Sequence, residues 1–385
     1  MSPRRHEVQD LPRWRRAVLK VGSSLLAANG GGLSTRYALG LAEFIAASHR
    51  AGREVVLVSS GAVAAGRALV RSQPEAAQGL AARQALAAIG QTTVVALWQR
   101  FFDQPAAQVL LTHDDLRNRR RYLNARATLR ELLSLGVLPV VNENDTVAVD
   151  ELQLGDNDNL AAIVAALVDA DLLLIASDID GLYSANPRTD PAAEPVADVA
   201  AVTPEVLAMA GGAGSAAGTG GMRTKLEAAT KAAAAGITTV LFNGTDADCL
   251  RLLAADRLRG TRFQAGGTRL HARKYWLRHA PLAGGRLRID AGAARALLVG
   301  GASLLPGGIS EVGGEFARGD MVEIEAVHDG EMRPIARGIS QYAANEVRRI
   351  AGRRSAEIES LLGYSYGETV VHRDDLVAVV GVATG

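Results

Sequence analysis

Residues 137–159, VLPVVNENDTVAVDELQLGDNDN, place a dense cluster of acidic and asparagine residues directly after an apolar run. The run from Val137 to Val141 is typical of a buried strand, and the apolar segment from Leu160 to Leu167 that follows is typical of a helix. Residues 142–159 hold six carboxylates and four asparagines in 18 positions. Crowded carboxylates repel one another unless cations or hydrogen-bond donors lie among them. The cluster therefore suits a ligand with both an ammonium and a carboxylate group, and a solvated acidic turn is the alternative interpretation.

The same alternation of apolar runs and helical segments extends from Ala17 to about Asn243. Runs that are apolar on both faces and separated by helices imply a mainly parallel sheet covered by helices on both sides. The sequence thus predicts an α/β fold, an αβα sandwich. The predicted strands are 17–21, 54–58, 107–111, 137–141, 171–175 and 237–242, and the predicted helices are 34–50, 81–102, 114–135, 159–169 and 222–235.

Ligands of such sheets bind beyond the carboxyl ends of the strands, and four polar turns fall there. Each turn has an ordinary explanation when it is taken alone: Ser59 to Ala62 suits any strand-to-helix turn, and an Asp or Asn before a helix is most often a cap. Four Asp or Asn residues in succession, 156–159, exceed what capping explains. We therefore expect one site, formed by residues 20–23, 59–62, 142–145 and 177–178.

Lysine is rare in this chain, because only four of the 42 basic residues are lysines. Lys20 ends a predicted strand, and Lys225 follows a loop with six glycines between Gly211 and Gly221. A compact ammonium near a glycine-rich turn and a helix start is suited to binding phosphate. Lys231 and Lys274 are interpreted as surface charges. The Walker pattern and the protein-kinase signatures are absent, so a different nucleotide-binding fold is expected.

Length and composition narrow the class of protein. A chain of 385 residues favours two domains, and the net charge of +1 gives no general attraction to nucleic acid or to anionic membranes. The single cysteine, Cys249, excludes an intrachain disulfide and fits a reducing cytosol. No apolar run reaches the ~20 residues of a membrane span. The arginine-rich N-terminus is predicted to be a short disordered tail.

After Gly260 the apolar runs become short and glycine is frequent, which predicts a small β-rich domain with a boundary near Thr268. Helices are predicted at 291–298 and 343–350. From Arg286 onward, 11 arginines stand against 14 acidic residues, a net charge of −3 that opposes RNA binding. The stretch Arg273 to Trp276 could contact RNA, although a helix packed between the domains explains it better.

The ordered motifs of the chain resemble those of the glutamate 5-kinase family, within the amino-acid kinase superfamily, from about Ala17 to Asp375. The motifs are AVLKVGSSLL (17–26), VLVSSGAVAAGR (56–67), LPVVNENDTVAV (138–149), LGDNDNLAAIVAAL (154–167), SDIDGLYSANPR (177–188) and GTGGMRTKLEAA (218–229). Ser24 and Ser177 stand where threonine is common, and residues 1–16 have no counterpart. The later motifs GASLLPGGI, FARGDMVEI, IARGIS, VRRIAG and LLGY resemble the PUA domain of bacterial members.

This resemblance implies a disordered tail at 1–16, an amino-acid kinase domain at 17–263, a linker at 264–283, a PUA domain at 284–367 and a C-terminal tail at 368–385. It also implies that ATP phosphorylates the side-chain carboxylate of L-glutamate, the first step of proline biosynthesis. Lys20 and Lys225 would contact the phosphoryl oxygens and Asp158 would hold both lysines, while Mg²⁺ would bridge the ATP phosphates. No residue is assigned as a metal ligand.

The resemblance also implies the binding residues. Those for glutamate would be Ser60, Asp145, Asn157 and Asp156, with Asp145 suited to the ammonium group and Ser60 and Asn157 suited to carboxylates. Those for ATP would be Lys20, Ser177, Asp178, Thr219, Gly220, Gly221, Met222, Arg223, Thr224 and Lys225.

Other expectations follow the same family. It implies a cytoplasmic homo-oligomer, a dimer or tetramer, with feedback inhibition by proline and no membrane or RNA partner. The alternatives are a related kinase that acts on acetylglutamate, aspartate or a nucleoside monophosphate, an RNA-binding PUA protein, and a structural or regulatory subunit. The last of these leaves the two lysines and the acidic cluster unexplained.

Overall fold

The computed structural model of the protein describes residues 5–28, 32–70, 79–148, 157–187, 189–210, 221–267, 284–328 and 330–379. The chain divides into two compact units, Met1–Arg269 and Leu270–Gly385. The division falls next to Thr268, where the change in sequence texture predicts a boundary.

The first unit is built on one large sheet. Its strands, with the two of a small separate ribbon (β7 and β8), are β1 (Val8–Asp10), β2 (Arg16–Val21), β3 (Glu54–Ser59), β4 (Ala106–Leu111), β5 (Leu138–Glu143), β6 (Leu172–Ser177), β7 (Leu182–Tyr183), β8 (Pro195–Val196), β9 (Asp198–Val199), β10 (Thr238–Asn243) and β11 (Arg257–Phe263). The order in the sheet is β1-β11-β10-β6-β2-β3-β5-β4, with β9 beside β11. Every neighbouring pair from β10 to β4 is parallel, which confirms the predicted sheet.

Helices connect these strands and cover both faces of the sheet. They are α1 (Ser23–Leu26), α2 (Ala38–Arg50), α3 (Ala62–Leu69), α4 (Leu80–Gln99), α5 (His113–Arg117), α6 (Arg119–Ser134), α7 (Asn157–Leu167), α8 (Pro204–Ala208), α9 (Met222–Ala234) and α10 (Ala247–Ala254). The helix predicted at 114–135 is two helices, because Asn118 adopts an extended conformation and its side chain caps α6.

Alternation along the central strands creates two separate cores. Successive residues of a strand point to opposite faces of its sheet. In β2, Leu19 therefore packs into the core formed with α2, α4 and α10, whereas Val18 packs into the core formed with α6, α7 and α9. Lys20 is two residues after Val18, so the pleat directs its side chain to the face covered by α7 and α9.

The prediction of a disordered tail at 1–16 is wrong for residues 5–16. Strand β1 pairs antiparallel with β11, and His6, Leu11 and Trp14 are buried. The Arg53 guanidinium lies 4.6 Å from the Trp14 ring centroid, and His6 Nε2 lies 3.1 Å from the carbonyl oxygen of Leu182. The many arginines of this segment suggested solvation, but its few apolar residues find partners that are distant in sequence.

The second unit is a smaller domain with its own sheet and core. Its strands are β12 (Gly285–Ile289), β13 (Ile309–Gly313), β14 (Met321–His328), β15 (Glu331–Ser340) and β16 (Val371–Ala378), in the order β13-β12-β14-β15-β16. Its helices are α11 (Ala291–Leu298), α12 (Ala344–Ile350) and α13 (Ile358–Leu362). The predicted C-terminal tail at 368–385 is wrong for residues 371–378, because β16 pairs with β15 and buries Val371 and Val377.

The predicted linker, 264–283, also begins too early. The Gln264 N–H donates to Val199 O and the Gly266 N–H donates to Ala233 O, at 2.9 and 3.0 Å, so these residues still belong to the first unit. Residues 268–283, with the predicted packing helix at 273–276 and Lys274, lie outside the described residues.

Helix α4 is the one described helix that is long and apolar enough to cross a membrane by length and composition. One face of this helix packs into the first core. Trp98 is fully buried, and Gly66 of α3 meets Gly90 of α4 so closely that a Cβ on Gly90 would lie 1.9 Å from Ala62 O.

Candidate active site

A buried ionic cluster lies where β2 meets the first turns of α7 and α9. The Asp158 side chain has 0% exposure, and its Oδ1 lies 2.6 Å from Lys20 Nζ. Its Oδ2 lies 3.2 Å from Lys225 Nζ and 3.0 Å from the Thr224 hydroxyl. Lys20 and Lys225 are only 4% and 6% exposed. The three predicted catalytic residues are therefore in contact, although they come from three separate segments of the chain.

The ionisation of Asp158 follows from its neighbours. Burial on its own raises the pKa of a carboxyl group, but the positive charges and hydrogen bonds of Lys20 and Lys225 outweigh it and hold the pKa of Asp158 below its usual value. The cluster consequently contains one negative and two positive charges, a net charge of +1 in a site with little water. Such a site favours an anionic ligand.

Glycines precede two helices near the ionic cluster. A Cβ on Gly22 would lie 3.5 Å from Lys20 Nζ, and Gly221 precedes α9 without any side-chain cap on the helix. A helix N-terminus without a capping side chain leaves backbone N–H groups for another partner.

A chain of neutral side chains lies beside the ionic cluster. Asn157 Nδ2 lies 2.8 Å from Ser60 Oγ and 2.9 Å from Asn142 Oδ1. Asn142 Nδ2 donates in turn to Gln91 Oε1 at 2.8 Å. Asn142 and Gln91 are 3% and 6% exposed, so these amides depend on one another for hydrogen bonds.

The turn that contains Ser60 is held by backbone geometry. The Ser60 N–H donates to Val21 O at 3.2 Å, and Gly61 has a φ of 107°, in the left-handed region that favours glycine. This turn brings Ser60 from the end of β3 to the start of α3 and beside Asn157.

Ser177 ends β6 and Asp178 follows it, between the ends of β2 and β10. In the parallel register, Val21 is beside Ala176 and Asn243 is beside Ser177. Ser177 is buried, and the Asn243 amide donates to Asp180 Oδ1 at 2.7 Å. These predicted nucleotide-binding residues therefore share the sheet edge with Lys20.

Asp145 lies two residues after β5, at the same edge. Burial raises the pKa of Asp145 above its usual value, and the charge of Arg83 opposes that shift. A cationic group bound beside Asp145 would favour its ionised form. Among the described residues, no hydrogen bond joins Asp145 to Ser60, Asn157 or Asp158.

The remaining predicted residues divide into two groups. Asp156, Thr219 and Gly220 lie outside the described residues. Arg223 and Met222 begin α9, but the Arg223 side chain is 81% exposed and pairs with Glu227 at 3.2 Å, so it does not enter the cluster.

Lys231 was interpreted from the sequence as a surface charge. It is exposed, and its ammonium group donates to Asn159 Oδ1 at 2.6 Å. This contact joins α9 to α7, one helical turn or more away from Lys225.

Sequence reasoning missed Gln91 altogether and did not separate Asn142 from the rest of its cluster. The helical spacing of Gln91 could have indicated that it is buried. In α4, Ala87, Val94 and Trp98 lie on one buried face, and Gln91 lies on the same face. A polar residue at such a position needs a buried partner.

No group of three or more His, Cys, Asp or Glu residues that could hold a metal occurs in the described parts of the chain. Mg²⁺ in phosphoryl-transfer sites is usually held by one or two carboxylates together with substrate phosphates. The donor set is thus compatible with Mg²⁺ that arrives on a nucleotide.

Comparison with known proteins gives two family matches. Residues 15–243 match the model of the amino acid kinase family, and residues 285–362 match the PUA domain. A glutamate 5-kinase of Xanthomonas oryzae pv. oryzae is 69% identical over 360 residues, which cover 94% of this chain and 99% of the relative. A glutamate 5-kinase of Xylella fastidiosa is 66% identical over 376 residues, which cover 97% of this chain and 98% of the relative.

Among solved structures, a carbamate kinase from Giardia lamblia bound to AMP-PNP is 19% identical, with a TM-score of 0.46. The alignment covers 65% of this chain and 98% of that structure.

Proposed function

This chain belongs to the amino acid kinase family and, within it, to the glutamate 5-kinases, and from that premise we propose that Lys20, Lys225 and Asp158 transfer a phosphoryl group from ATP to L-glutamate. The activity is the ATP-dependent phosphorylation of the glutamate side-chain carboxylate, which gives L-glutamyl 5-phosphate. The pathway it serves is proline biosynthesis.

The reaction requires little acid–base chemistry. A side-chain carboxylate oxygen of glutamate attacks the γ-phosphorus of ATP, and the bond from that phosphorus to the β,γ-bridging oxygen breaks, so that ADP leaves. A carboxyl group with a pKa of about 4.3 is already ionised at neutral pH, and no general base is needed. The barrier lies instead in the approach of two anions and in the charge on the transferred group.

The ionic cluster is suited to that task. Each lysine ammonium has three N–H donors, and Asp158 uses one from each. Lys20 and Lys225 would donate to phosphoryl oxygens as well as to Asp158. Asp158 orients both ammonium groups before ATP arrives, so that little reorganisation is needed during transfer.

The observation that carries this proposal is the single buried carboxylate held between two lysines. Arginine supplies nearly all other positive charge in this chain, yet both partners of Asp158 are lysines. An arginine guanidinium is planar and would bind the Asp158 carboxylate through two donors in one fixed geometry. A lysine ammonium is compact and can bind the carboxylate and a phosphoryl oxygen at the same time.

The binding residues are proposed on either side of this cluster. ATP would contact Lys20, Ser177, Asp178 and the segment 219–225, and Mg²⁺ would screen its phosphates. Glutamate would contact Ser60, Asp145, Asn157 and Asp156. Asp145 suits the ammonium group, because a bound cation would reverse the effect of burial on its pKa.

The finer properties implied by the family are also proposals. We propose a cytoplasmic homo-oligomer that is inhibited by proline. RNA binding by the second domain is not favoured, since its charge from Arg286 onward is −3.

A hydroxylamine trap tests the substrate. Purified protein with Mg-ATP and hydroxylamine should form a hydroxamate from L-glutamate and much less from two analogues. N-acetyl-L-glutamate lacks the free ammonium group that suits Asp145, and the side chain of L-aspartate is one methylene shorter. Equal turnover of acetylglutamate would contradict the proposal.

A further inference from the structure

A continuous chain of buried side chains leads from α4 to the proposed glutamate site: Gln91, Asn142, Asn157 and then Ser60. We propose that Gln91 and Asn142 are positioning residues, which fix Ser60 as a hydrogen-bond donor and Asn157 as an acceptor toward the substrate. This inference rests on the proposed function and adds the orientation in which the amino acid binds.

A backbone carbonyl group determines which way the amides in this series of hydrogen bonds are oriented. The Asn157 amide atom that contacts Ser60 and Asn142 also lies 3.3 Å from Ser59 O, a carbonyl oxygen that would repel an amide oxygen at that distance. That atom is therefore Nδ2. Asn142 presents Oδ1 to it, so the Asn142 nitrogen must face Gln91, and Gln91 must present Oε1. Each amide fixes the orientation of the next.

This direction determines which atoms remain for a ligand. An amide nitrogen has two hydrogens, and the two shortest contacts of Asn157 Nδ2 go to Ser60 Oγ and Asn142 Oδ1. Asn157 Oδ1 is left as an acceptor, and no described residue donates to it. Ser60 accepts from Asn157 and therefore keeps its own hydroxyl hydrogen to donate.

The remaining donor and acceptor match the head group of an amino acid. A carboxylate only accepts hydrogen bonds and an ammonium only donates them. Ser60 can thus bind the α-carboxylate, and Asn157 can bind the α-ammonium. The sequence-based interpretation suited Asn157 to a carboxylate, and the hydrogen-bond directions favour the ammonium instead.

The position of Gln91 is fixed by contact between two helix backbones. Gly90 precedes Gln91, and the Gly66–Gly90 contact presses α4 against α3, the helix that begins just after Ser60. Gln91 Nε2 is buried without a hydrogen-bond partner among the described residues. Leaving a buried amide hydrogen unpaired costs stability, so packing alone does not account for glutamine at this position.

Gln91→Met tests the inference, because methionine has a similar length and removes the acceptor for Asn142. Without that acceptor, Asn142 and then Asn157 can turn. We expect the KM for L-glutamate to rise about tenfold or more, the scale of one hydrogen bond to a charged group. The KM for ATP should stay close to that of the wild type. The preference for L-glutamate over glutarate, which lacks the ammonium group, should decrease.

Two further variants make the result specific. Gln91→Glu keeps an acceptor in the same place, so its glutamate KM should be well below that of Gln91→Met and closer to that of the wild type. Gln99→Met changes another glutamine of α4, whose amide contacts the carbonyl groups of Phe102 and Gln104, and should leave the glutamate KM unchanged.

The outcomes separate the possibilities. A folded Gln91→Met protein with an unchanged glutamate KM, or with equal increases in the KM of glutamate and ATP, overturns the inference. If that variant does not fold, Asn142→Leu replaces it, with the same expected rise and the same contradicting result. Failure of the proposed function would appear differently, as an absence of hydroxamate from L-glutamate in the wild-type protein.

Discussion

Asn157 and Asp158 are neighbours in the first turn of α7, yet they serve two different kinds of polar network. Asp158 faces a charged half of the site, with Lys20 and Lys225, and Asn157 faces a neutral half, with Ser60, Asn142 and Gln91. Buried charges stabilise charge that develops during a reaction, whereas buried amides fix hydrogen-bond direction without adding charge. The difference predicts that the charged half controls kcat and the neutral half controls the KM of glutamate.

The largest effect is expected for Asp158→Asn, which removes the negative charge between two buried ammonium groups. Breaking one side of a buried ion pair costs about 3–5 kcal/mol of unfolding free energy. The kcat should fall by on the order of 10² or more, because neither lysine is then held in place. Denaturant unfolding and steady-state kinetics measure the two effects.

A matched control is Asp256→Asn. Asp256 pairs with Arg53 through two contacts of 2.6 Å in a different part of the domain. The Asp256→Asn protein should have a lower free energy of unfolding and an unchanged kcat. If Asp158→Asn instead raises the glutamate KM and leaves kcat intact, the roles of the two halves have been exchanged.

The pH dependence of stability gives a second test of the charged half. The pKa of Asp158 is lower in the folded protein than in the unfolded chain. Ionised Asp158 therefore adds its full contribution to the free energy of unfolding above the unfolded pKa of about 3.9, and this contribution is lost as the pH falls through the pKa of the folded protein. The difference in unfolding free energy between wild type and Asp158→Asn should therefore shrink below about pH 4. A constant difference across that range would contradict the assignment.

Lys225→Arg and Lys20→Arg should each retain the fold and lose on the order of 10² or more in kcat, the scale for removing a preorganised donor. The planar guanidinium has the same charge and a different geometry. Lys231→Arg is the control on the same helix, since Lys231 is exposed and contacts Asn159, not Asp158. Wild-type turnover in Lys225→Arg would show that only charge matters there.

In the neutral half, Ser60→Ala should raise the KM of glutamate about tenfold, which corresponds to a lost hydrogen bond to a charged group of about 1.5 kcal/mol. Its kcat should change much less than in the lysine variants. Ser48→Ala is the control, because the buried Ser48 hydroxyl donates only within α2, to Phe44 O. A reduced kcat with an unchanged glutamate KM in Ser60→Ala would contradict the prediction that the neutral half controls the KM of glutamate.

The smallest effect on chemistry is expected from removal of the second domain. Every residue proposed for chemistry lies at or before Lys225, and the first unit has its own two cores. A chain that ends at Gly267 should still phosphorylate glutamate, with changes in oligomeric state, Mg²⁺ dependence or response to proline. Loss of secondary structure on truncation would show that the domains depend on each other for folding.

Much of the fold could be predicted because its main elements are locally encoded. The strands of the parallel sheet are apolar on both faces and are separated by amphipathic helices, so periodicity alone places them within a few residues. The ordered structure of residues 5–16 and the strand β16 could not be predicted in this way. Both depend on pairing with strands elsewhere in the sequence, β11 and β15, and a local sequence pattern does not indicate such pairing.

The sequence by itself determined the chemical inventory of the site: two lysines in an arginine-rich chain, an acidic and asparagine-rich cluster, and their places after strands. Tertiary structure alone decided which Asp158 oxygen meets each lysine and that the Asn157 amide turns its nitrogen toward Ser60 and Asn142. The reason is physical. Residue type and local period follow from neighbours in the chain, whereas ion pairing and amide direction depend on atoms such as Lys225 Nζ, which is 67 residues from Asp158 and meets it only after folding.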